Sequence, residues 1–63
     1  MPKFPDIYVK VSDGAPLNDI IARVEKAMRK AGVSCDNIRK FRECIPFGYA
    51  LAVEYIRTWV ETD

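Results

Sequence analysis

Histidine is absent from the 63-residue chain, and cysteine is scarce, with Cys35 and Cys44 the only two. Without imidazole, the commonest general base and metal ligand is missing, so Ser12, Ser34 and the two thiols lack the partner that would activate them as nucleophiles. Two isolated thiols also lack the paired spacing of a zinc site. If both lie on one helix, their separation rotates them by about 900° and raises them by roughly 13 Å, onto opposite sides where no disulfide forms. Both are expected to be reduced thiols of a cytoplasmic protein, with Cys44 buried.

Long apolar runs are missing too. The longest uncharged stretch, CIPFGYALAV at 44–53, is interrupted by Pro46 and Gly48 and is about half of the roughly 20 residues that a membrane-spanning helix needs. The opening MPKFPDIYVK carries Lys3 and two prolines where an export signal needs an apolar segment, so the mature chain is expected to start at Met1 and to have no membrane partner. Glycine is sparse, and Gly14, Gly32 and Gly48 each punctuate a boundary rather than form a phosphate-cradling loop. The nine carboxylates are scattered along the chain, and no pair at general acid/base spacing stands out. The expectation is a protein that is not an enzyme and uses no cofactor or metal.

What is present is an ordinary globular composition, 49% hydrophobic and 30% charged. The length allows one domain, 1–63, near the lower limit at which a chain buries enough apolar surface to fold. Ile7, Val9 and Val11 alternate with Tyr8, Lys10 and Ser12 up to Asp13-Gly14, which predicts a half-buried strand at about 7–12. A single strand leaves its backbone unpaired, so it must pair with the C-terminal tail, a second copy or another protein. A homodimer through Ile7 to Val11 is the expected assembly.

Leu17, Ile20, Ile21, Val24, Ala27, Met28 and Ala31 recur at steps of three and four, predicting a helix over about 16–31 that Gly32 ends. Ser34 is placed to cap a second helix, about 34–45, with Asp36 in its first turn, Ile38, Phe41 and Ile45 inward, and Pro46 beyond. In YALAVEYIRTWVETD, Ala52, Tyr55, Ile56, Trp59 and Val60 fit a helical stripe, although several positions also fit alternation. Arg57 breaks the alternation, so a third helix at about 49–60 is expected. The predicted class is α+β and mostly helical, one N-terminal strand followed by three short helices, with Phe41, Tyr55 and Trp59 forming most of the core.

Formal charge is uneven: −1 over residues 1–21, +4 over 22–44 and −2 over 45–63. The basic middle is what a solvated face of a helical hairpin carries, and it is also what a phosphate-binding patch carries. Around Gly32, the apolar positions Ala27, Ala31, Val33, Ile38 and Phe41 resemble those of a helix-turn-helix unit, in which the second helix enters the major groove. That resemblance implies a recognition helix starting at Ser34. Ser34, Cys35, Asn37 and Arg39 would then lie near base edges, with Arg29, Lys30, Lys40 and Arg42 nearer phosphates. The departure is Met28, where a small residue permits close helix crossing, and Asp36 would face phosphate.

A broader pattern, Ala31-Gly32-Val33-Ser34, Ile38, Phe41-Arg42, Gly48-Tyr49 and Trp59-Val60, is similar to short uncharacterised bacterial proteins, some phage-associated. It implies three helices after one strand and no known activity. The function expected from these observations is a small non-enzymatic interaction module with a protein partner. The alternative is a nucleic-acid-binding accessory protein that uses the basic hairpin 29–42.

Overall fold

The computed structural model describes residues 2–63; Met1, the expected start of the mature chain, lies outside them. The order is β1 (Phe4–Val9), α1 (Leu17–Lys30), α2 (Cys35–Glu43), α3 (Tyr49–Arg57) and β2 (Val60–Thr62). The mixed, mostly helical class and the three helices follow the expectation. The second strand does not.

α1 is an amphipathic helix whose Ile20, Val24 and Met28 are buried, with Asp19 at its positive end and Arg29 and Lys30 at its negative end,. It stops in a Schellman motif. Val33 N–H donates to the Met28 carbonyl and Gly32 N–H to the Arg29 carbonyl, with Gly32 at φ +84°, a conformation glycine takes without penalty. Ala31, assigned to the apolar stripe, is instead the exposed C-cap. α2 begins as expected: Ser34 Oγ accepts from the Asn37 N–H at 3.3 Å,.

β1 and β2 are parallel neighbours in a two-stranded sheet, pairing Phe4 with Val60, Tyr8 with Glu61 and Val9 with Thr62. The register slips between Phe4 and Tyr8, where Pro5 has no N–H to give to the ladder. β1 starts three residues earlier than the predicted 7–12 and ends at Val9. Val11 is buried as the alternation requires, but its N–H leaves the ladder and donates to Asp63 Oδ1 at 2.8 Å. The neighbour that β1 needed is therefore the C-terminal tail of its own chain, one of the three pairings the sequence allowed.

That pairing also corrects the third helix, which ends at Arg57 rather than 60. Thr58 Oγ1 donates to the Tyr55 carbonyl at 2.6 Å, and the main chain then turns, burying Trp59 in the turn and Val60 at the start of β2.

The core lies between the sheet and the helices. Phe41, Ile20, Met28, Ile56, Val24 and Val60 are fully buried, joined by Ile7, Val9, Val11, Ile38, Ala52 and Trp59. It is mainly aliphatic, a correction to the expected aromatic core, and Tyr55 is only partly buried. The aromatics form one contiguous wall within it. Phe41 stacks on Tyr55 at 5.5 Å between ring centroids and meets the edge of Trp59, also at 5.5 Å,. Phe4 also stacks on Trp59, and Lys3 Nζ lies 4.4 Å from the Trp59 ring centroid,. Among the described residues no helix is long and apolar enough to cross a membrane.

Candidate functional site

Two surfaces stand out, one basic and one apolar. The basic one is built by α1 and α2, which meet with their sequences running in opposite senses. Arg29 near the end of α1 shares a groove with Cys35 at the start of α2, and Glu25, one turn earlier, meets Arg42, two turns later. On α2, positions 35, 38, 39 and 42 follow helical spacing and share one face. Arg29, Cys35, Ile38, Arg39 and Arg42 line a shallow groove of about 220 Å³. Of the six basic and polar residues singled out from the sequence, the fold brings Arg29, Arg39 and Arg42 together and leaves Lys30, Asn37 and Lys40 outside the lining. Asn37 is half-buried and its N–H is occupied by Ser34.

The arginines differ in what they already hold. Arg42 Nε lies 2.9 Å from Glu25 Oε1, with the carboxylate oxygen off the N–H direction, so the attraction is Coulombic rather than a directed hydrogen bond,. Arg42 is two-thirds exposed, whereas the Glu25 side chain is largely covered. Arg42 also lines a second groove, of about 490 Å³, with Asn18, Ile21, Ala22, Glu25 and Ile45, and so forms a wall common to both. Met28, the departure from the helix-turn-helix pattern, is fully buried in the core beneath this hairpin.

Cys35 and Cys44 are both free and both exposed. Cys44 was expected to be buried. It is the C-cap of α2, one residue past the helical stripe that would have turned it inward.

The apolar surface had no place in the sequence expectations. Between α2 and α3 the chain runs Ile45-Pro46-Phe47-Gly48, and Phe47 is 99% exposed. Gly48, at φ +98°, is the N-cap of α3. In the first turn of α3, Leu51 is 58% exposed and Tyr49 about half exposed. The available signal was that Pro46 and Gly48 mark a turn around Phe47, which takes that residue off the apolar stripes of both helices.

Charged side chains elsewhere brace loops. Arg23 bridges Asp13 at 2.9 Å and donates to the Lys10 carbonyl. Desolvation opposes ionisation of Asp13, but the Ala15 N–H and Arg23 outweigh it and hold its pKa below the ordinary value,. The Ser12 hydroxyl and the Val11 N–H donate to Asp63, which holds that carboxyl low as well.

No family model matches the chain, and no curated protein or solved structure is similar enough to it to carry an argument.

Proposed function

We propose that the protein is a small non-enzymatic interaction module that docks a protein partner through the surface formed by Phe47, Tyr49 and Leu51. The observation that carries this reading is Phe47, a whole aromatic side chain held in water at the tip of the α2–α3 loop. Isolated exposed apolar residues are ordinary, but here the exposed Phe47, Tyr49 and Leu51 fall within five consecutive positions,. Burying one large apolar side chain contributes about 1.5–3 kcal/mol, and aromatic anchors surrounded by weaker contacts dominate protein interfaces.

A photo-reactive phenylalanine analogue at position 47, irradiated in cells, tests this. One discrete protein adduct is expected, lost when Leu51→Ser is added and absent when the analogue replaces Tyr8 instead. A diffuse ladder unaffected by Leu51→Ser, or no adduct at all, counts against the proposal.

A further inference from the structure

The chain has five arginines, and three of them are engaged within the molecule: Arg23 with Asp13, Arg42 with Glu25, and Arg57 with the Thr62 hydroxyl. Among the described residues, Arg29 and Arg39 make no ion pair and no side-chain hydrogen bond. Those two come from different helices and line the same groove. The third wall is Arg42, whose Nε faces Glu25, leaving its terminal nitrogens for other acceptors.

We infer that this groove binds a phosphate monoester, with Arg29, Arg39 and Arg42 as its ligands. A carboxylate is satisfied by one bidentate guanidinium, whereas a phosphate monoester presents three terminal oxygens and close to two negative charges, which suits a cluster of three guanidinium forks drawn from two helices. The first-turn N–H groups of Cys35 and Asp36 have no helical acceptor, and Ser34 Oγ serves the Asn37 N–H instead, so the positive end of α2 adds to the field at the groove. The apolar wall is Ile38, itself almost wholly buried, and a volume of about 220 Å³ suits one ester group rather than a polymer.

A nucleic-acid backbone fits less well. It needs a continuous positive track, and α2 interrupts one with the exposed carboxylates of Asp36 and Glu43. Lys30 and Lys40, which would extend the track, lie outside the groove lining.

The experiment is an NMR titration of the whole chain with phenyl phosphate, with a short phosphoserine peptide and with a short DNA duplex, at constant ionic strength. Four variants that each remove one positive charge are compared: Arg29→Gln and Arg39→Gln in the groove, Lys30→Gln and Lys40→Gln outside it. Saturable binding of the esters is expected, with the Cys35 amide among the largest shifts. The groove variants should weaken binding by about tenfold, as the loss of a charge-assisted hydrogen bond does, and the lysine variants by less than about twofold. All four side chains are exposed, and unchanged thermal melting checks that each variant folds. The tighter of the two esters identifies the source, a free small molecule or a phosphorylated protein. The inference is overturned by linear, unsaturable shifts, by equal losses in all four variants, or by a duplex that outcompetes both esters and depends on every one of the four cations.

Discussion

Tyr55 Oη donates a hydrogen bond of 3.1 Å to the carbonyl oxygen of Phe41 while their rings stack. Phe41 lies in the last turn of α2, where carbonyls have no N–H from within the helix. A side chain of α3 thus serves as the C-terminal cap of α2, and the same contact closes the aromatic wall around Trp59. Tyr55→Phe keeps the ring and removes the donor, so a loss of about 1 kcal/mol is expected in denaturant unfolding. Burial raises the Tyr55 pKa above its ordinary 10.0, so its contribution is complete below that value and disappears as pH rises through the higher folded one. The gap between wild type and variant should close at strongly alkaline pH.

Phe41 itself is fully buried where α2, α3 and the Trp59 edge meet. Phe41→Ala removes about 3–5 kcal/mol, and a domain of this size has about 3–9 kcal/mol in total. Loss of the cooperative thermal transition is expected. A variant that melts only a few degrees lower would show that the wall collapses around the cavity.

Asp63 ties the chain after β1 to the chain after β2. Its carboxyl titrates below the ordinary 3.8 because of the Ser12 hydroxyl and the Val11 N–H, so its contribution is present above that value and is lost as pH falls through the lower folded one. Asp63→Asn should therefore be less stable than wild type near neutrality and equal to it well below pH 3.8. Denaturant midpoints across that range decide the matter, and a pH-independent difference would mean that Asp63 acts through packing instead.

Gly48 caps α3 at φ +98° and ψ 136°, a region nearly reserved for glycine. An added Cβ would meet only Leu51 Cδ1, at 4.0 Å, so the penalty for Gly48→Ala comes from the backbone alone. It should be about 1–3 kcal/mol, read as a lower melting temperature.

Both thiols are open to solvent. Intact mass after alkylation of the native protein should show two adducts with no denaturant added. A Cys44 that stays unlabelled until the protein is unfolded would mean that the end of α2 packs inward.

Much of this architecture was legible from spacing. α1 was visible because Ile20, Val24 and Met28 repeat each turn and Gly32 can occupy the left-handed cap, and the start of α2 was visible because Ser34 is a strong N-cap. β2 was hidden because Trp59 and Val60 continue the helical stripe of Ala52 and Ile56, and only the Thr58 turn separates them. β1 was displaced because the alternation persists through Val11, whose N–H is bound by a side chain rather than by a strand. Charge counting located the basic hairpin. It could not separate Arg39 from Lys40, neighbours in sequence that stand on different sides of α2, and that distinction is made only by α1 packing against one of those sides.

The parallel pairing of β1 with β2 imposes a timetable. Val11 and the carboxylate that holds it are 52 positions apart, and every such contact must wait for the segment that follows α3. The α1–α2 hairpin rests on nearby residues, whereas the pairing of β1 with Val60 joins distant segments and pays its closure entropy before any contact offsets it,. A chain cut before Val60 would therefore carry β1 without its partner strand, its ladder edge open to neighbours,.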